Sequence, residues 1–114
     1  MTLYQQMRKG TTTVVILSLL AAEGRPMYGY EIIKELEARS RGFFQFKEGL
    51  IYPRLHEMER QGLVRSEWRG QEGRRQRKFY VLTEQGRRQL EREVQSWRAF
   101  AENMNVLLGV ETSP

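Results

Sequence analysis

The sequence predicts a mainly α-helical protein with a small β-hairpin and a long C-terminal helix. Two patterns lead to this fold class. Apolar residues recur with helical period in three segments before residue 62, and two short segments rich in β-prone residues follow them, separated by glycines. Beyond Thr83 a heptad pattern continues for about 26 residues, which is typical of a long helix with one apolar seam.

The first helix is expected to begin at Thr11–Thr13, residue types that favour helix N-caps, and to run to about Ala22. It is apolar around most of its circumference, which predicts that it packs between other helices. The segment superficially resembles a signal peptide, but Ser18 interrupts the apolar run and Glu23 follows it. The run is also shorter than the roughly 20 apolar residues that cross a bilayer. A cytoplasmic protein is therefore expected.

A second amphipathic helix is predicted from about Tyr28 to Arg39, after a break at Glu23–Pro26. Its apolar residues lie on one face and its charged residues lie on the other. The aromatic stretch that follows, Phe43 to Phe46, is a candidate short strand.

The third helix contains a proline, in the segment KEGLIYPRLHEMERQG. Pro53 would cost about 3 kcal/mol or more in a helix interior, because it lacks an N–H and crowds the carbonyl four residues back. The residues alone fit a helix that begins at Pro53, since proline is favoured at the first helical position. Gly62 is expected to end the helix. The residues expected on its buried side are Leu50, Leu55 and Met58, and those expected in solvent are Arg54, Glu57 and Arg60.

Two strands, LVRSEW and RKFYVLT, are predicted next, with Gly70 and Gly73 permitting a hairpin turn between them. Residues 65–78 carry six basic and two acidic side chains, so most of the net charge of +5 falls on the hairpin. Three helices and a hairpin make a winged helix-turn-helix, in which the third helix enters the DNA major groove and the hairpin, or wing, reaches adjacent backbone or minor groove. The basic patch indicates a polyanionic partner.

The last helix is predicted from Thr83, its N-cap, to Gly109. Its apolar residues recur at spacings of 4, 3, 4, 3 and 4, which form a heptad seam. The residues of this seam, which are the predicted dimer interface, are Leu90, Val94, Trp97, Ala101, Met104 and Leu108. A rod of roughly 39 Å is too long for this small domain to bury, so a second copy is the expected partner. The predicted division is a DNA-binding domain over residues 1–82, a dimerisation helix over 83–109 and a tail over 110–114.

The composition argues against several kinds of site. The chain contains no cysteine, which excludes disulfides and thiolate metal sites. His56 is its single histidine, and no metal-ligand spacing and no nucleophile paired with a base is visible around it. We therefore expect no metal, no cofactor and no enzymatic activity.

Three motifs closely resemble those of the PadR-like transcriptional regulators: YGYEIIKELE at Tyr28–Glu37, EGLIYPRLHEMERQGLV at Glu48–Val64 and RKFYVLTEQGRRQL at Arg77–Leu90. The resemblance runs from about Lys9 to Gly109, and it implies a dimeric winged-helix repressor with a single C-terminal dimerisation helix. It also implies that the third helix begins around Lys47–Gly49. Pro53 would then lie one turn inside, where Gly49 allows the backbone to move away from the proline ring.

The third helix is expected to read the major groove of DNA. Arg54 is the best candidate, because arginine can contact guanine O6 and N7 together. Tyr52 could contact a phosphate or a thymine methyl, and Pro53 would fix how both side chains are presented. The alternatives are that Tyr52 packs into the core, that Arg54 pairs within its helix and that Pro53 only stiffens the helix entry.

Phosphate contacts are expected at two helix starts and in the wing. The resemblance implies that Lys47 and Tyr28 approach the phosphates. Position in the wing predicts the same role for Arg74, Arg75, Arg77 and Lys78.

Trp97 stands in the sequence VQSWRAF, which is similar to a stretch of some multidrug-responsive PadR-like regulators. There, a tryptophan from each subunit stacks a flat aromatic ligand. The resemblance therefore implies an effector site at Trp97, with Phe100 and Ala101 as further candidates. The alternative is that Trp97 simply fills the dimer core.

The expected function is that of a homodimeric, sequence-specific repressor on a pseudo-palindromic operator. A small aromatic effector would alter the separation of the two reading heads and release the DNA. The alternative function is a winged-helix module for protein–protein contact that has no operator of its own.

Overall fold

The computed structural model describes residues 3–70, 73 and 75–110, and for residues 3–9 it describes only the backbone. The elements are α1 (Leu3–Glu23), β1 (Met27–Tyr28), α2 (Gly29–Arg39), α3 (Glu48–Arg60), β2 (Val64–Arg69), β3 (Arg77–Leu82) and α4 (Glu84–Leu108). The predicted class is confirmed: three helices, a hairpin wing made of β2 and β3, and a long terminal helix form a winged helix-turn-helix with an appended helix.

The first helix begins at Leu3, well before the start predicted at Thr11–Thr13. That prediction was wrong because the preceding residues are mostly good helix formers, so the threonines lie inside the helix and not at its cap. Thr12 is fully buried there. The helix ends at Glu23, and Gly24 follows with a positive φ of 63°, a conformation that glycine adopts without strain.

The segment between α2 and α3 is a turn, so the strand expected at Phe43–Phe46 was wrong. Arg41 and Gly42 have φ values of 54° and 75°, which redirects the chain. The ring of Phe44 then stacks on that of buried Phe46, with centroids 5.8 Å apart. These aromatic side chains pack onto the core, and their backbone pairs with no strand among the described residues.

The sheet contains three antiparallel strands in the order β1-β3-β2. The short strand β1 was not predicted, because two residues cannot show an alternating pattern. The hairpin is confirmed: β2 and β3 pair from Val64–Leu82 to Arg69–Arg77. Side chains alternate between two faces. The inner face, which meets α3, carries Ser66, Trp68, Lys78 and Tyr80, and the outer face carries Arg65, Glu67, Arg69, Arg77 and Phe79.

The third helix begins at Glu48, with Lys47 as its N-cap residue, and Pro53 lies inside it. The start implied by the resemblance is therefore confirmed, and a start at Pro53 is wrong. A Cβ added at Gly49 would meet no described atom within 4 Å outside the helix's own backbone, so no other element packs against α3 one turn before the proline. The fully buried residues of α3 are Ile51, Leu55 and Met58, whereas Leu50 is only half-buried.

One apolar core joins α1, α2, α3 and the sheet. Its fully buried members include Leu20 from α1, Ile32 from α2, Leu55 from α3 and Tyr80 from β3. Because the core contacts both α3 and β3, it places the third helix beside the wing.

The long helix α4 has the caps that were predicted. The Gly86 N–H donates to the Thr83 hydroxyl at 3.0 Å, and that hydroxyl lies 2.6 Å from the Gly62 carbonyl that it donates to. The start of α4 is therefore fixed to the turn after α3. Gly109 ends the helix in the left-handed region, with a φ of 68°. The division into domains over residues 1–82 and 83–109 stays a prediction, and residues 111–114 of the expected tail lie outside the described chain.

Candidate nucleic-acid interface

A cleft of about 680 Å³ lies between α3, the start of α2 and the wing. Aromatic and basic side chains form most of its surface, and Glu48 is the one carboxylate among its described lining residues. The residues predicted to contact DNA that line this cleft are Tyr28, Tyr52, Arg75, Arg77 and Lys78. The fold thus brings together residues that are up to 50 positions apart in the sequence.

Tyr52 spans from α3 to the start of α2. A Cβ added at Gly29 would lie 2.4 Å from the Cε1 atom of the Tyr52 ring, so the ring occupies the space beside this glycine. Burial raises the pKa of the Tyr52 hydroxyl, and the nearby charge of Glu48 adds to that rise. Tyr52 therefore both packs against the core and lines the cleft.

Two arginines of the wing rest on aromatic rings. The guanidinium carbon of Arg77 lies 4.6 Å from the centroid of the Tyr28 ring, and that of Arg69 lies 5.6 Å from the Phe79 ring. The rings of Tyr28 and Phe79 meet edge to face at 5.5 Å. Stacking of this kind orders the Arg77 guanidinium while leaving its charge available to a partner, whereas Arg69 also pairs with Glu67.

Lys78 is held differently from the wing arginines. Its Nζ atom lies 2.9 Å from the Glu59 Oε1 atom in the last turn of α3. Hydrogen bonds from Ser66 and then from Lys78 lower the pKa of the Glu59 carboxyl, and the hydrogen bond to Glu59 raises the pKa of Lys78. Both shifts favour the charged pair at neutral pH.

Arg54, the predicted groove-reading residue, lies on another side of α3. It is half-buried and lines a cavity of about 580 Å³ together with Val14 of α1 and Glu93 of α4. Its Nε atom is buried without a hydrogen-bond partner among the described residues. The alternative, that Arg54 pairs within its helix, is not seen among the described residues either, and Glu57 pairs there with Arg60 at 3.4 Å.

Of the remaining residues predicted to contact DNA, those that the structure describes do not line the cleft. Lys47 and Pro53 are exposed, at the N-cap and in the second turn of α3. Arg74 lies outside the described residues. The exposed side chains of α3 are those of Glu48, Pro53, His56 and Arg60.

Among the cleft residues that sequence reasoning did not assign to DNA binding, His56 and Trp68 have the largest chemical interest. Trp68 is 64% exposed, which is unusual for so large an apolar side chain. Both could have been found from periodicity, because His56 stands four residues after Tyr52 on the helix and Trp68 lies opposite Lys78 in the hairpin.

The predicted seam of α4 changes character along its length. Leu90 is half-buried and packs against the core of its own chain. Trp97 is 51% exposed, and Leu108 is 65% exposed at the far end of the helix. The first part of the seam therefore packs against the core of its own chain, and the later part of the seam exposes apolar side chains to solvent.

A second apolar surface lies where α1, α4 and the turn before α3 meet. This crevice of about 530 Å³ is lined by Trp97 and Phe100 of α4, by Val14 and Val15 of α1 and by Phe44. The rings of Trp97 and Phe100 are 5.8 Å apart. Glu93 also reaches the crevice, whereas Ala101, the third predicted effector residue, is not among its lining residues.

Neither a metal site nor a membrane-spanning helix is present in the described part of the chain. No group of three or more histidine, cysteine or acidic side chains there could hold a metal ion. Within the same residues, no helix is both long and apolar enough to span a bilayer.

Comparison with known proteins gives a consistent result. The sequence model of the transcriptional regulator PadR-like family matches residues 16–92. The chain is similar to a PadR family transcription regulator from Clostridium difficile, with 38% identity, a TM-score of 0.71 and coverage of 85% of this chain and 97% of that one. A PadR-like transcriptional regulator from Bacillus cereus has 33% identity, a TM-score of 0.76 and coverages of 93% and 99%. A PadR family regulator from Eggerthella lenta has 30% identity, a TM-score of 0.80 and coverages of 94% and 89%.

Proposed function

The chain belongs to the PadR-like family of transcriptional regulators, and from that premise we propose that it is a homodimeric, sequence-specific DNA-binding repressor. The observation that carries the proposal is the cleft between α3 and the wing. Exposed guanidinium groups surround an aromatic surface there, on the two elements that contact DNA in winged-helix proteins. Such a regulator would act in the cytoplasm, where its DNA is.

DNA would meet α3 and the wing together. The exposed edge of α3, with Pro53, His56 and Arg60, would enter the major groove. Arg75 and Arg77 would neutralise phosphates at the wing and fix the register on the duplex. Lys47 and Tyr28 would add phosphate contacts at the starts of α3 and α2.

The homodimer would form through the seam of α4. A helix of 25 residues is about 37 Å long, and its last turns expose Val106, Leu107 and Leu108. A second copy would cover these side chains and place two reading heads on a pseudo-palindromic operator.

A flat aromatic effector would bind in the crevice at Trp97. The apolar walls fit an aromatic ring system, and the Glu93 carboxylate favours a ligand with positive charge. Because the crevice adjoins the predicted seam, an effector there would alter the separation of the reading heads and release the DNA.

The experiment that tests DNA binding is fluorescence anisotropy with the DNA upstream of the gene and with a scrambled duplex, at two salt concentrations. We expect a preference of at least about tenfold, or about 1.4 kcal/mol, that survives the higher salt. Equal affinity for both duplexes, lost together as salt rises, would favour a winged-helix module for protein contact.

Arg75→Ala should reduce the salt dependence of DNA binding. If this guanidinium neutralises one phosphate, the slope of log K against log salt becomes shallower by about 0.9 per subunit. Anisotropy titrations at four salt concentrations measure the slope. Arg88→Ala is the matched control, because it removes an equal charge from an exposed position on α4 that does not line the cleft. If Arg75→Ala and the unchanged protein have the same slope, Arg75 does not contact a phosphate.

Trp97→Ala should weaken the binding of a planar aromatic cation such as acridine orange by about tenfold, because ring stacking is worth roughly 1 kcal/mol beyond the area buried. Isothermal titration calorimetry with the protein alone measures the affinity. Trp68→Ala, which changes the other tryptophan, should leave it unchanged. Equal weakening by both substitutions would place the dye outside the crevice.

A further inference from the structure

The carboxylate of Glu59 connects the third helix to both strands of the wing. The Ser66 hydroxyl of β2 donates to its Oε2 atom. The Lys78 ammonium of β3 donates to its Oε1 atom at 2.9 Å. Each oxygen of one side chain thus holds a different strand, and both strands are tied to the last turn of α3.

The surroundings keep this arrangement ordered. The Lys78 side chain is 26% exposed, well below the 63% and 55% of Arg65 and Arg69 on the outer face, and Glu59 at 33% is as shielded as Glu67 at 32%. The Lys78 Nζ atom also lies 5.4 Å from the centroid of the buried Tyr80 ring. An ammonium with a carboxylate on one side and an aromatic ring on another already has its charge satisfied.

We propose that Glu59 and Lys78 are positioning residues that set the angle of the wing over α3, and that Lys78 serves the Glu59 carboxylate and not a DNA phosphate. The proposal rests on the proposed function, because it assigns roles within the same interface. It divides the basic side chains of the wing into two groups. Arg75 and Arg77 carry charge for a partner, and Lys78 holds the hairpin in place.

The substitution Glu59→Gln distinguishes the two possible roles of Lys78, because they predict opposite changes in operator affinity. If Lys78 positions the wing, loss of the ion pair frees the hairpin, and operator affinity falls by about tenfold, within the range of coupling between contacting residues. If Lys78 binds phosphate in competition with Glu59, the same substitution releases an ammonium and removes a repelling carboxylate. Operator affinity would then rise, and the salt slope would steepen by about 0.9 per subunit. Stronger binding would overturn the proposal.

Glu67→Gln is the matched control for this experiment. It also neutralises a glutamate that holds wing side chains, but this glutamate lies on the outer face of the hairpin, where it pairs with Arg65 and Arg69. We expect it to leave operator affinity unchanged or to raise it slightly. A loss equal to that of Glu59→Gln would mean that neutralising any carboxylate paired with the wing weakens binding, and would overturn the specific role of Glu59.

A charge exchange tests whether the pair itself matters. Lys78→Glu alone should weaken operator binding, and the double variant Glu59→Lys with Lys78→Glu should recover most of the affinity, because the ion pair is restored in the opposite direction. A phosphate-binding lysine would show no such recovery. Failure of the double variant to recover, with its thermal unfolding unchanged, would overturn the proposal.

Hydrogen exchange of the backbone amides in β2 and β3 reports on the wing without DNA. Glu59→Gln should accelerate exchange there and leave exchange in α1 unchanged. Unchanged exchange in the wing would overturn the positioning role even if the protein binds its operator. Accelerated exchange in a protein that prefers no duplex would instead keep the positioning role and reject the proposed function.

Discussion

A chain that carries Met104→Glu and Leu108→Glu is expected to be monomeric and to bind its operator about 1,000-fold more weakly than the unchanged chain, near the level of non-specific binding. Both residues lie on the seam of α4, one half-buried and one 65% exposed. In the proposed dimer, two pairs of glutamates would face each other across an apolar contact. Buried like charges cannot be solvated there, so the contact would open.

Sedimentation equilibrium measures the oligomeric state, and anisotropy with the upstream DNA measures the affinity. The loss of affinity follows because a monomer contacts only one half of a pseudo-palindromic site. Asn103→Glu is the control, since it adds a carboxylate to the exposed, outer side of the same helix. A double variant that remains dimeric would move the interface away from this seam.

Gly86→Ala is expected to lower the free energy of unfolding by about 3 kcal/mol, and the melting temperature by roughly 10 °C. Gly86 is buried in the first turn of α4, and a Cβ there would lie 2.1 Å from the carbonyl oxygen of Leu63. That oxygen cannot move aside freely, because it accepts hydrogen bonds from the Thr83 N–H at 3.2 Å and from the Thr83 hydroxyl at 2.9 Å. The added methyl group must therefore disturb the N-cap of α4.

Chemical denaturation at a fixed protein concentration measures the change, because the proposed dimer would make stability depend on concentration. Gly10→Ala is the matched control: a Cβ at this helical glycine meets nothing within 4 Å. It should stabilise the chain by about 0.5 to 1 kcal/mol, since alanine is the better helix former. If the Gly86→Ala and Gly10→Ala variants have the same free energy of unfolding, α4 must move to accommodate the added methyl group without a loss of stability.

The elements that sequence reasoning located are those with long local patterns. The helices of the core and the strands of the wing show their period over several residues, and Thr83 and Gly109 mark the ends of α4 by their residue types. The errors lie where no such pattern exists. Three threonines before an apolar run looked like a cap, and a helix-compatible segment ahead of them extended α1 to Leu3.

The sequence by itself determined the order of the four helices and the hairpin, the concentration of positive charge on the hairpin and the apolar seam of the last helix. These features depend only on residue type and spacing. Only the tertiary structure decided which polar side chains share a surface. Helical period makes Arg54 as available as Tyr52, but the packing of α1 and α4 beside α3 places Arg54 at a different cavity. The contact of Glu59 with Lys78 joins residues 19 positions apart, and no local pattern predicts it. Contacts of this kind arise only when the core sets the distance between the third helix and the wing.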